Sequence, residues 1–321
     1  MADYKTLHGT NIETVASDPS NPVNGQVWYN STDQKVKGFT TNPAGSWAEG
    51  NNLNTARQRH AAAGTQTAAL GFGGKNASDS QTNVTEKYDG TSWTEVGDLN
   101  TARFATSGVG TQTAALCIAG RPGPSPTTAI VESFDGTNWT EIADVNTARE
   151  ALNSLGIQTA ALAVAGAPAL TIVESWNGTS WTEVGDLNTG RFAMACAGTS
   201  TAGLAFGGSS PPKNETETWN GTSWTETANL NTARYALAGD GTSTAALGAG
   251  GQSSTAIVGI AETWNGTGWT EGVDMNTARV ETKGAGTTTA AVVFGGSTPS
   301  IVNNSEEFTL PVETTVEFDA S

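Results

Sequence analysis

The chain has 321 residues, enough to bury a substantial core in one large domain or two ordinary ones. A net charge of -16 with only 15 basic residues excludes nucleic acid and anionic membrane as partners, because phosphate contacts need clustered Lys and Arg. Charged residues are 14% of a sequence dominated by Gly, Ala, Thr, Ser and Asn, a composition that suits short strands and tight turns and predicts almost no helix.

The N-terminus, "MADYKTLHGTNIETVASDPS", lacks the basic start and apolar stretch of a secretory signal, and no apolar run is long enough to span a bilayer. The expectation is a soluble chain made in the cytoplasm without Sec export or membrane insertion. The next stretch, "DPSNPVNGQVWYNSTDQKVKGF", places Trp-Tyr-Asn before a Ser/Thr-rich turn and a Lys-containing strand. It resembles a short β-hairpin recurrent in virion proteins of tailed phages, especially tail-fibre and appendage chains. The resemblance implies that residues 1–44 attach to other virion proteins.

From residue 45 onward the chain repeats. Trp47, Trp93, Trp139, Trp181, Trp224 and Trp269 are each followed seven residues later by Asn, and three further on by Arg57, Arg103, Arg149, Arg191, Arg234 or Arg279. Seventeen residues after each Arg, a small-residue strand ends in Gly, as in "AALGFGG" to Gly74. Glu86, Glu132, Glu174, Glu217, Glu262 and Glu306 then each precede an aromatic by two residues. Only the connection between that Gly and that aromatic varies in length.

Each period of 42 to 46 residues reads as four short antiparallel strands, with "YDGTSW", "FDGTNW" or "WNGTSW" as the turn between the third and fourth. One such sheet cannot bury both faces, so the copies pack around an axis or stack along a line. The ends favour the first. No Trp follows Phe308 at the usual spacing, while Trp47 precedes the first Arg without a sheet of its own. The small strand ending Gly-Gly, the aromatic and the Trp resemble the kelch propeller family over residues 45–310. The resemblance implies an all-β, six-bladed kelch-like propeller of four-stranded antiparallel blades, closed by the strand around Trp47. Residues 1–44 are then an attachment segment and 311–321 a C-terminal tail.

The repeated charges have two readings. The six Arg and six Glu could line a channel that binds an ion or sugar, or they could pair within each copy as scaffolding, which identical copies favour. The Trp set reads either as sugar-stacking platforms or as packing between sheets where Ala and Gly leave room. Asp98, Asp144, Asp186 and Asp274 read as turn-closing residues against a calcium alternative. No metal or other cofactor is expected. Cys117 and Cys196 read as core residues.

His8 and His60 are the only histidines, leaving almost no material for a histidine-based triad. No catalytic residue is assigned, and the chain reads as a non-enzyme. Binding is expected in the variable loops 75–85, 121–130, 167–172, 209–215, 252–260 and 297–304, at Lys75, Asn76, Asp79, Arg121, Pro122, Lys213, Asn214 and Gln252.

The resulting expectation is a virion appendage or decoration protein, with a host-surface glycan or protein as outward partner. A lectin-like or protein-binding bacterial module and a glycan-active enzyme are the alternatives. Oligomeric state is left open.

Overall fold

A computed structural model describes residues 12–20, 25–40, 45–124, 126–209, 211–310 and 314–318, and the remainder of the attachment segment and tail lies outside them. Among the described residues the chain is all-β, with no helix. It divides into two compact units, Met1–Ser46 with Leu310–Ser321, and Trp47–Thr309.

The first unit is one four-stranded sheet. Val27–Asn30 pairs antiparallel with Lys35–Thr40 and parallel with Glu13–Val15, and Thr314–Phe318 adds antiparallel to Lys35–Thr40. The tail therefore belongs to the hairpin's sheet. Asp18 explains much of the motif read from the sequence: its carboxylate accepts hydrogen bonds from Trp28 Nε1 (3.0 Å), Asn30 Nδ2 (2.8 Å) and Lys37 Nζ (2.9 Å). Those bonds, led by that from Asn30, hold the Asp18 carboxyl down at about 2.

The second unit contains repeated four-stranded sheets, numbered 1 to 6 in chain order of their first strands. These first strands are Ala61–Thr65, Ser107–Thr111, Asn153–Ile157, Ala195–Thr199, Ala238–Gly241 and Lys283–Gly286. In sheets 1 to 5 the strands lie in chain order and end on the Trp strand, for example Trp93–Glu95 in sheet 1. In sheet 6 the fourth place is taken by Ser46–Gly50, beside Ser305–Thr309. Each first strand neighbours that of the following sheet, and Lys283–Gly286 neighbours Ala61–Thr65.

Local chemistry sets the turns. Asp89 Oδ1 accepts the N–H groups of Thr91 and Ser92 while Gly90 takes φ +90°, and Asn177, Asn220 and Asn265 repeat the bond pattern. The Gly-Gly pair also has a specific task. Gly74 N–H donates to Arg103 O of the next repeat (2.8 Å), and Gly73 adopts φ +64° to allow it, with no room for a methyl against that same carbonyl. In sheets 2 and 3 the bend is made by Ala119 and Ala165, at φ +54° and +53°.

Between sheets the core is aromatic. Trp93, Trp139, Trp181, Trp224 and Trp269 each stand opposite the aromatic of the neighbouring third strand, and Trp47 packs on Phe308 at 5.0 Å between ring centroids. Phe72 of sheet 1 meets Trp139 of sheet 2 at 4.8 Å, and Phe294 of sheet 6 meets Trp93 of sheet 1 at 4.6 Å. All six Trp side chains are buried, which is packing between sheets and not a solvent-facing platform.

Candidate functional site

The repeated Arg and Glu residues are buried in every copy and pair within it: Arg57 with Glu86, Arg103 with Glu132, Arg149 with Glu174, Arg191 with Glu217, Arg234 with Glu262 and Arg279 with Glu306. The carboxylate does more than neutralise the guanidinium. Glu86 also accepts from Asn54 N–H (2.7 Å), Asn54 Nδ2 (2.9 Å) and Thr55 N–H (3.2 Å), fastening the Asn-Thr-Ala-Arg turn to the third strand. None of these pairs lines the channel walled by the first strands of the sheets. Asp98 and Asp144 accept from backbone N–H groups of Thr85 and Val131, which spends them on turn geometry.

Past each Arg the backbone turns left-handed. Arg59, Ala105, Ala151, Ala193, Ala236 and Glu281 take φ between +50° and +58°. Each donates its N–H to the carbonyl of its counterpart in the preceding sheet, at 2.6 to 3.0 Å, and Arg59 N–H donates to Glu281 O. The six bonds return to their starting point. They frame a mouth whose cavity measures about 170 Å³, walled by Phe192, Tyr235, Leu152 and Met194 and by the alanine methyls.

The variable loops begin at this mouth. The residue after each Arg bridges to the first residue of the following loop: Gln58 to Lys75, Phe104 to Arg121, Glu150 to Ala167, Phe192 to Ser209, Tyr235 to Gln252 and Val280 to Ser297. Among the residues expected to bind, Lys75, Asp79 and Arg121 converge on a recess of about 420 Å³ with Arg59, Phe104 and Glu150. Lys75 Nζ pairs with Asp79 (2.9 Å) and lies over the Phe104 ring at 4.7 Å, and Arg121 Nη1 pairs with Glu150 (3.3 Å).

The other expected residues lie outside that recess. Asn76 holds its own loop by accepting from Ser78 and Ser80 N–H, and Pro122 is half-buried beside Arg121. Lys213 pairs with Glu215, Asn214 donates to Leu230 O, and Gln252 donates to Ser253 O.

The repeat pattern does not single out two further residues. Counted from each Arg, Asp240 occupies the place held elsewhere by Ala63, Val109, Leu155, Ala197 and Ala285, and Lys283 the place of Ala61, Ser107, Asn153, Ala195 and Ala238. Both line that channel, of about 130 Å³, together with Cys196. Burial pushes the Asp240 carboxyl up to about 7 and lowers the Lys283 ammonium from its ordinary value; it also pushes the Cys196 thiol up to about 12. Lys283 alone lines both cavities, and the charged groups acting on its ammonium, Asp240 and Cys196, lie on the channel side.

No protein family matches the chain, and no curated protein matches it.

Proposed function

We propose that residues 45–310 form a kelch-like six-bladed β-propeller, closed by the N-terminal strand Ser46–Gly50, and that the chain is a tailed-phage virion protein presenting the mouth and its loops to a host surface. The closed reading draws on two features. One is the place of Ser46–Gly50 beside the last repeat, and the other is the backbone bond from Arg59 back to Glu281. Trp47→Ala, which empties a buried site on that strand, should cost about 3–5 kcal/mol. A Trp47→Ala variant as stable as the parent would remove the clasp.

A binding role is carried by one observation: the same Arg–Glu–Asn fastening recurs in every sheet, while the loops it holds differ and three of their charged residues share a recess. The virion assignment is supported by the hairpin of residues 18–39, its resemblance to tailed-phage appendage chains, and an acidic, Thr- and Asn-rich composition. In this reading residues 1–44 contact other virion proteins and the chain is not an enzyme. Mass spectrometry of purified particles should find the chain at many copies per particle. Its absence from particles would sink the virion assignment.

A further inference from the structure

The basic residues of Trp47–Thr309 are unevenly placed. Outside the six paired arginines, the described residues of this unit carry Arg59, Lys75, Lys87, Arg121, Lys213 and Lys283. Four of these six, Arg59, Lys75, Arg121 and Lys283, line the mouth or the recess that adjoins it. In a chain of net charge -16 this places most of the basic residues outside the six Arg–Glu pairs at the mouth and its neighbouring recess.

Three of the four have partners at the surface: Arg59 with Glu281 (2.5 Å), Arg121 with Glu150 and Lys75 with Asp79. Lys283 differs. Among the described residues its ammonium makes no hydrogen bond or salt bridge, and the residue lines the mouth together with Leu152, Phe192, Met194 and Tyr235. Its charged and titratable neighbours are Asp240 and Cys196 on the channel side and His60 of sheet 1, while Arg59, Glu150 and Glu281 line the mouth with it.

We propose that the mouth is a binding site for a carboxylated sugar, with the carboxylate seated on Lys283 Nζ and the ring held between Phe192 and Tyr235. The geometry gives each part of such a ligand a partner. An anion entering the mouth meets an ammonium that holds no hydrogen bond or salt bridge among the described residues, its neighbouring carboxylate Asp240 lying on the channel side, and exclusion of water strengthens the contact. The C–H face of a sugar ring suits the half-buried Phe192 and Tyr235 rings. Sugar hydroxyls at the rim meet the Glu150 and Glu281 carboxylates as acceptors and Arg59 as donor. A purely apolar ligand leaves Lys283 without a partner, and a bare anion leaves the aromatic walls uncovered.

This inference rests on the reading of the loop face as a binding face and names what it takes. The test uses the purified full chain in ligand-observed NMR and calorimetry, with D-glucuronate, D-glucose and acetate as probes. D-Glucuronate should bind about tenfold or more tightly than either D-glucose or acetate. Lys283→Met should reduce D-glucuronate affinity by about tenfold or more with an unchanged near-UV spectrum.

A second variant guards against misfolding. The double substitution Phe192→Ala with Tyr235→Ala, on the half-buried wall, should also weaken D-glucuronate about tenfold. Equal binding of D-glucose and D-glucuronate, equal binding of acetate and D-glucuronate, no binding of D-glucuronate, or unaltered affinity in either variant overturns the proposal. Because purified chain is used, such a failure leaves the virion assignment standing, and absence of the chain from particles leaves this site standing.

Discussion

The carboxylate of Asp240 lies against the backbone of Gly284: a methyl group placed on Gly284 would stand 2.2 Å from Asp240 Oδ2. Sheet 6 makes room for the acid of sheet 5 by having no side chain there, and the N–H of Gly286 supplies a hydrogen bond to it. The acid is thus built into a junction that the other repeats fill with apolar groups.

From this placement follows a pH dependence. The Asp240 carboxyl ionises near 7 in the folded chain and near its ordinary 3.8 when unfolded. Its raised value makes the folded state bind the proton more tightly, so its contribution to stability is greatest below about 4, falls as pH rises to about 7, and is level above. Asp240→Leu, which copies Leu155, removes that decline. Urea denaturation of both proteins between pH 4 and 8 measures the difference, and parallel pH profiles would refute the assignment.

His60 gives the opposite sign. It is fully buried between sheets 1 and 6, with Phe294 at 5.1 Å between ring centroids and, among the described residues, no hydrogen-bond partner for either ring nitrogen. Burial, then the charges of Arg57 and Lys283, hold its pKa well below the ordinary 6.5. The folded state therefore disfavours the imidazolium, and stability is lost as pH falls below about 6.5. His60→Leu, the residue type at the matching positions 152 and 237, should abolish the acid-side loss and add about 1 kcal/mol at neutral pH by removing unpaired polar atoms. Thermal melts at pH 5 and pH 8 provide the comparison.

The Arg–Glu pairs should respond unequally to truncation. Glu86 serves Arg57 and also two backbone N–H groups and the Asn54 amide, whereas Arg57 loses only its own contacts when shortened. Glu86→Leu should cost about 3–5 kcal/mol, Arg57→Met less, and the double variant about as much as Glu86→Leu alone. Additive losses in denaturant titrations would show that the turn does not depend on the carboxylate.

Ala119 and Ala165 stand at φ +54° and +53° where the other sheets have Gly73, Gly207, Gly250 and Gly295. Left-handed backbone costs a non-glycine residue about 1–2 kcal/mol, partly offset by the greater freedom of glycine in the unfolded chain. Ala119→Gly and Ala165→Gly should each stabilise by about 0.5–1 kcal/mol. A lower midpoint in denaturant for both would contradict the strain argument.

The repeated strands and the Arg–Glu pairing are legible in the sequence because each leaves a recurrent mark: Asp-Gly or Asn-Gly for the turn between third and fourth strands, and fixed spacing for the buried ions. The cycle of backbone bonds is not legible. Its six left-handed residues are four alanines, one Arg and one Glu, and none carries the glycine or asparagine signature of that conformation. Asp240 and Lys283 are visible only when the repeats are aligned on Arg and read for the residue that departs from its column. The pairing of Thr314–Phe318 with Lys35–Thr40 joins segments far apart in the chain, and no local pattern announces it.

The cycle at the mouth is made by main-chain atoms alone, so it places no demand on side chains beyond tolerance of a left-handed φ. Arg59 and Glu281 occupy the same positions as four alanines with the bonds intact. The opening is therefore a fixed hoop with six exchangeable teeth: its lining can be rewritten one residue at a time, while proline, which lacks the donor, is barred from every tooth.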